Sequence, residues 1–129
     1  MPRFPALLLA LATALCGGAA FAAGGGSDEL HTVPLGAVAV PIVDGPRAEG
    51  TLRFDAAIRA RDAAAAERLK AELPRLRAET IAAGLEFARL HASRWTAVDA
   101  ERLAGDLKAT LRRADPGVTQ VLLLEVSAG

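Results

Sequence analysis

The stretch GVTQVLLLEVSAG, residues 117–129, decides the fold predicted for this chain. Residues 121–124 within it are four consecutive apolar side chains. In an extended strand neighbouring side chains point to opposite faces of the sheet, so this run places apolar groups on both faces. Strands of that kind are typical of the middle of a sheet, where both faces are covered. The pattern therefore predicts a final strand that pairs beside earlier strands in the middle of the sheet and completes the domain.

A first strand is predicted in VPLGAVAVPIV, residues 33–43, with Val38, Val40 and Ile42 on one face. Because Pro34 and Pro41 have no amide donors, we expect this strand at an edge of the sheet or interrupted. The segment DGPRAEG, residues 44–50, is typical of a hairpin turn somewhat longer than the tightest type.

The second strand, within TLRFDAAIRARD at residues 51–62, shows the clearest alternation. One face is apolar and the other carries Arg53, Asp55, Arg59 and Arg61, which predicts a half-buried strand. Asp62 follows it and is suited to cap the next helix. The apolar face consists of Leu52, Phe54, Ala56, Ile58 and Ala60.

Between residues 63 and 91 the apolar residues recur in steps of three and four, which predicts a helix. Pro74 lacks an amide donor and predicts a kink or a break there. A second helix, opened by Thr96 or Asp99, is expected to bury Leu103, Leu107 and Leu111 and to end at residues 115–117. The stripe of the first helix consists of Leu69, Leu73, Leu76, Thr80, Ala83, Phe87 and Leu90, widened by Ile81 and Leu85.

The order strand, strand, helix, helix, strand predicts an α+β domain, with a small, mainly antiparallel sheet and two helices packed on one face. Trp95, the only tryptophan, is expected in the core between the helices, with an exposed anchor for a partner as the alternative. The side chains expected to form the core, or else an interface, are Phe54, Pro74, Leu76, Phe87, Trp95, Leu107, Leu122 and Leu124.

Residues 1–22 are typical of a secretory signal peptide: Arg3 precedes an uncharged apolar run that ends in a small-x-small cleavage pattern. Residues 23–32 have the composition of a flexible linker, which leaves residues 33–129 as a single domain. These features predict a periplasmic protein exported by the general secretory route. Two alternatives stay open: residues 4–23 as an uncut inner-membrane anchor, and a lipoprotein attached through Cys16.

The composition favours a non-enzymatic protein without a cofactor. A formal net charge of zero argues against nucleic acid as the main partner. The chain has two histidines, His31 and His91, and it lacks metal-ligand spacings and a glycine-rich phosphate loop. No serine is placed beside a histidine as a nucleophile would require. The grouping of His31 with Asp28 and Glu29 is the basis of an alternative, a small-ligand or metal-binding protein.

The succession of segments resembles the periplasmic domain of FliL-type flagellar basal-body-associated proteins. The resemblance runs through VPLGAVAV, GTLRFDAAIRARD, ELPRLRAETI and GVTQVLLLEV and covers about residues 33–126. Val118, Val121 and Leu123 fall at apolar positions of the family's final strand. The most distinctive local match is LPRLR at residues 73–77, which includes Pro74.

This resemblance implies a domain related to the stomatin-like fold, which tends to assemble into rings. It also implies protein partners: the stator units of the flagellar motor in the periplasm, or further copies of the chain. A soluble relative without the motor role is an alternative within the family. A secreted envelope adaptor unrelated to flagella is the alternative outside it. Contact with a membrane is expected only if the N-terminal segment stays uncut.

Overall fold

The computed structural model describes residues 31–129, so the signal peptide predicted at residues 1–22 and nearly all of the predicted linker lie outside the described residues. The described part forms an antiparallel sheet in the order β1-β2-β3, with helices packed on it, which confirms the predicted α+β fold. In chain order the elements are β1 (Thr32–Asp44), β2 (Arg47–Ala60), α1 (Ala63–Ala71), α2 (Leu73–His91), α3 (Ala100–Ala114) and β3 (Val118–Ala128).

β3 lies at an edge of the sheet, and the prediction that it occupies the middle is wrong. It does pair beside the hairpin, since β2 is its neighbour. β1 and β2 are joined by two turn residues only, so no strand can enter between them, and β2 becomes the central strand. One face of β3 is covered by α3, whereas Leu122 on the other face is half-buried and Leu124 is 66% exposed.

The hairpin turn is shorter than the sequence predicted. Asp44 pairs directly with Arg47, so Gly45 and Pro46 alone form the turn, and residues 47–50 already belong to β2. Gly45 has a φ of 59°. Two-residue hairpin turns require positive φ at the first turn position, which glycine adopts without steric cost.

The helical region breaks beside Pro74, as predicted. α1 ends at Ala71 and α2 begins at Leu73, so Pro74 occupies the first turn of α2. Amides in the first turn have no partner within the helix, and proline therefore fits there. Within residues 31–129 no helix is both long enough and apolar enough to cross a membrane.

Aspartates cap two of the helices. Asp62 accepts a hydrogen bond from the Ala65 amide at 2.8 Å, which confirms the predicted cap of α1. Of the two residues predicted to open α3, Asp99 is the cap, because it accepts from the Arg102 amide at 3.1 Å. Thr96 lies in the loop before it.

The core lies between the sheet and the helices. The predicted apolar face of β2 is buried along its whole length, as are Val38, Val40 and Ile42 of β1. α3 buries its three predicted leucines completely. These agreements follow from strict periodicity, because each element has one clearly apolar side. The core leucines of α3 are Leu103, Leu107 and Leu111.

The buried stripe of α2 is rotated relative to the predicted one. Ile81 and Leu85, predicted to widen the stripe, are 38% and 43% exposed, and Leu90, predicted to belong to it, is 53% exposed. Gly84 is buried instead, and a Cβ atom added there would lie 3.0 Å from Cε1 of Phe54. The helix lies close to the sheet at this glycine, and the larger side chains beside it turn toward solvent.

Candidate interaction surface

The predicted core or interface residues separate into a buried and an exposed group. Pro74 is exposed and Leu122 is half-buried, while Leu124 and Trp95 are exposed. The prediction that Trp95 fills the core is wrong, because the residue is 77% exposed. It lies in a surface turn in which its amide donates to Oγ of Ser93 at 3.1 Å. The buried group is Phe54, Leu76, Phe87 and Leu107.

The metal-binding alternative gains no support from the described residues. Asp28 and Glu29 lie outside them, and only His31 of the predicted grouping is described. Within residues 31–129 no three side chains of histidine, cysteine, aspartate or glutamate come together in a way that could hold a metal ion.

An ion pair between the buried carboxylate of Asp115 and the exposed side chain of Arg68 fixes the start of β3. Asp115, between α3 and β3, is only 4% exposed. Its Oδ2 accepts from Nε of Arg68 at 3.0 Å, and its Oδ1 accepts from Nη2 of Arg68 at 2.9 Å and from the Gly117 amide at 2.8 Å. A Cβ on Gly117 would lie 2.6 Å from Arg68 Nη2. The pair therefore ties α1 to the turn from which β3 departs.

The Arg68 guanidinium lowers the pKa of Asp115 to about 2, and the hydrogen bond from the Gly117 amide acts in the same direction. Burial of the carboxyl group opposes both effects. A carboxylate with this pKa is ionised throughout the physiological range, so it neither takes up nor releases protons near neutral pH. Its hydrogen bonds to α1 and to the turn before β3 give it a structural role.

The free edge of β1 is protected against pairing. Pro34 and Pro41 offer no amide donors. From α2, Arg77 donates to the carbonyl oxygens of Leu35 and, at 3.3 Å, of Ala37. Proline, a bulge and a covering charged side chain are the devices that natural sheets use to prevent edge-to-edge association.

Gly36 makes this protection possible. It follows the extra residue of a bulge in β1 and has a φ of 82°, a conformation that favours glycine. A Cβ at this position would lie 2.8 Å from Nη1 of Arg77. The glycine therefore allows both the backbone shape of the bulge and the approach of the arginine.

The free edge of β3 has bulges, but it lacks the prolines and the covering charged side chain that protect β1. Among the described residues β2 is the only strand that pairs with it. Its sequence, VTQVLLLEVSA, contains no proline, lysine or arginine, and Glu125 is its single charge. Two bulges, at Thr119 and Leu124, are its only irregularities. Long, apolar, uncovered edge strands are the usual templates for pairing with another chain.

A second exposed feature lies at the end of the sheet where β3 ends. Arg94 stacks on the Trp95 ring, with its Cζ 4.6 Å from the ring centroid. The Arg94 side chain packs beside Gly50, and the neighbouring Thr51 exchanges two backbone hydrogen bonds with Gly129. Exposed tryptophan and arginine side chains are enriched at the energetic centres of protein interfaces.

An open groove of about 360 Å³ runs between α2 and α3. Its lining mixes Phe87 and Leu90 with charged groups such as Glu86, which is already paired with Arg89 at 2.7 Å. Among the described residues, the buried side-chain atoms without a hydrogen-bond partner belong to Arg59 and Glu72, neither of which lines this groove. The groove therefore gives weaker support for a ligand than the β3 edge gives for a protein partner.

No protein-family model matches the chain, and the search of curated proteins also found no match. The candidate surface is therefore defined by geometry and exposure.

The sequence predicted neither the Arg77 side chain that covers the β1 edge nor the bulge before Gly36. Pro34 and Pro41 correctly signalled an edge strand, but the covering of that edge by Arg77 needs a contact across about 40 positions. Gly36 between the two prolines was the available signal, because an isolated glycine in a strand pattern often marks a bulge or a close approach.

Proposed function

We propose that this chain is a non-enzymatic periplasmic module that acts by binding other protein chains, and that the free edge of β3 is its main contact surface. The observation that carries the proposal is the contrast between the two edges of one sheet. β1 is blocked by Pro34, Pro41 and Arg77. β3 presents an uncovered apolar edge without any of these residue types.

Physical reasons favour β3 as a contact surface. The outward-facing amides and carbonyls of an edge strand supply a row of donors and acceptors that an incoming strand can satisfy. Leu124 adds exposed apolar area at the same edge. Main-chain hydrogen bonds then supply affinity, while side chains on alternate positions supply specificity.

The resemblance to FliL-type proteins supports the stator units of the flagellar motor as the partner within this proposal. Deletion of the gene, followed by measurement of swimming in soft agar, tests this part. We expect reduced swimming that is restored by the wild-type gene. Unchanged swimming in the deletion strain would remove the flagellar role and leave the contact proposal intact.

The contact surface itself is tested with a photo-crosslinking amino acid in the full chain, expressed in its native host. We expect the probe at Leu124 to capture a protein partner and the same probe at Ala39, an exposed position on β1, to capture little. Mass spectrometry of the adducts separates stator proteins from envelope enzymes, the latter favouring an adaptor unrelated to flagella. Equal capture at the two positions, or none at Leu124, contradicts the proposal.

A further inference from the structure

The geometry points to a second copy of this chain as the occupant of the β3 edge. We propose that two β3 strands pair antiparallel about a two-fold axis at Leu122, which joins two three-stranded sheets into one six-stranded sheet. This inference rests on the proposed function, because it names the partner of the same surface.

The faces of the sheet restrict the possible registers. A two-fold axis perpendicular to the sheet keeps the helix-covered face of each copy on the same side, so inward residues must oppose inward residues. Leu122 then faces its counterpart on the outer face, while Val121 faces Leu123 of the second copy on the inner face. At its centre, the β3–β3 strand pair is apolar on both faces. This accounts for the apolar run at residues 121–124, which an edge strand covered by other side chains would not need.

The bulge at Leu124 determines the next pair. Glu125 pairs with Asp55 and Leu123 with the following residue of β2, so Leu124 is an extra residue that shifts the alternation by one. With this shift, Gln120 lies opposite Glu125 of the second copy. A glutamine amide can donate to a carboxylate, so the single charge of β3 has a suitable partner.

Self-pairing in this register brings no like charges together. Glu125 is the only charged residue of β3, and the axis at Leu122 separates its two copies along the strand direction. Like charges directly opposite each other destabilise a strand pair, so their absence matters. An overlap of about eight residues forms on the order of eight main-chain hydrogen bonds, within the range of specific protein interfaces.

The charges on α3 fit the same axis. The side of α3 that faces α2 carries Arg102 and Asp106, and the leucines of α3 face the core. Helical geometry therefore places Glu101 and Lys108 on the remaining side, above the free edge of β3. Leu122 lies about 13 Å along β3 from Val118. The same distance along α3, counted back from the end of the helix, spans roughly nine residues and reaches Gly105. Because Gly105 lies about midway between Glu101 and Lys108, the axis sets each glutamate level with the lysine of the other copy.

Sedimentation of the purified full chain tests the inference. We expect a dimer for the wild type, a dissociation constant raised at least tenfold by Leu122→Lys, and no such change for Ala39→Lys on the blocked β1 edge. Circular dichroism melts of both variants verify folding. A monomeric wild type, or an unchanged dissociation constant for folded Leu122→Lys, overturns the proposal.

Cysteine crosslinking provides a second test that does not depend on a destabilising charge. In a Cys16→Ser background, Leu122→Cys is expected to form a disulfide-linked dimer under mild oxidation, because Cβ atoms of directly opposed residues lie about 5 Å apart. Ser127→Cys, on the same outer face but far from the axis, is the matched control and is expected to remain monomeric. Equal crosslinking of the two variants overturns the register.

The two proposals fail in distinguishable ways. If the probe at Leu124 captures only a different protein and the purified chain is monomeric, the self-pairing inference is wrong and the proposed function stands. If that probe captures neither a second copy nor another protein, both are wrong.

Discussion

Asp115 illustrates how much a single side chain decides in this fold. It is nearly buried and accepts hydrogen bonds from both Arg68 and Gly117, which join α1 to the turn before β3. Hydrogen bonds to a charged group stabilise proteins more than neutral ones. We expect Asp115→Ala to lower the free energy of unfolding by about 2 kcal/mol, measured by urea denaturation. The exposed carboxylate Glu67 is the control, and Glu67→Gln is expected to change stability little; equal losses would contradict the structural role of Asp115.

The pKa of Asp115 also predicts a dependence on pH. An aspartate in the unfolded chain has a pKa of about 3.9, whereas in the folded protein the pKa of Asp115 is lowered to about 2. The folded state therefore binds this proton less readily, so the stabilisation is complete above the unfolded pKa and is lost as the pH falls toward 2. We expect the stability difference between wild type and Asp115→Asn to shrink across this window in urea titrations. A difference that stays constant between pH 6 and pH 2 would show that the charge of Asp115 contributes nothing.

Two glycines within helices are expected to respond differently to alanine. A Cβ on Gly105 of α3 meets nothing within 4 Å, so Gly105→Ala should raise stability by about 0.5–1 kcal/mol through helix propensity. On Gly84 the same atom lies 3.0 Å from Phe54, and the gain should be reduced or reversed. Thermal denaturation of the two variants provides the comparison, and a larger gain for Gly84→Ala would contradict the close approach of α2 to β2.

At the scale of elements, the two edge strands differ in what covers them. Arg77 of α2 occupies carbonyls of β1, whereas β3 has no comparable cover among the described residues. The side chain that covers an edge is therefore as decisive for association as the strand itself.

Removal of the Arg77 side chain is expected to open a second edge. In Arg77→Ala the carbonyls of Leu35 and Ala37 lose their donors, so the part of the β1 edge between Pro34 and Pro41 becomes available for pairing in addition to β3, and species larger than those of the wild type should form. Light scattering against protein concentration measures this change. Arg89→Ala is the matched control, because Arg89 pairs with Glu86 on the exposed surface of the same helix. Equal association in the two variants would mean that Arg77 does not prevent pairing at the β1 edge.

For the whole molecule, β3 completes the domain even though it lies at an edge. Val118 and Val121 are buried, and the strand pairs along the central strand β2 from Leu52 to Ala60. Its loss would expose one side of β2 together with part of the core.

We expect a chain that lacks residues 118–129 to lose its cooperative thermal transition, followed by circular dichroism. A chain that lacks only residues 127–129 should keep the transition with a modest shift, since the buried valines remain in place. If the longer deletion melts cooperatively at the original temperature, β3 is not part of the folding unit.

Most of the architecture was predictable, and the exceptions share a cause. The alternation in β2 and the leucine spacing of α3 placed their core faces correctly, because each reflects a local period. On apolar character, Trp95 was placed in the core and Leu124 in the core or an interface, yet both are exposed. Apolar character favours burial of a side chain, but only the positions of the neighbouring elements decide whether a surface is there to cover it.

The sequence by itself determined the order of elements, the break beside Pro74, the Asp62 cap and the burial of the strictly periodic faces, because these depend on interactions between residues close along the chain. Tertiary structure alone decided that β3 lies at the edge, that Arg77 covers β1 and that Asp115 joins α1 to β3. Each of these depends on residues that are distant along the chain. The two-residue turn at Gly45 and Pro46 holds β1 against β2, so the last strand cannot enter between them and pairs with the other side of β2.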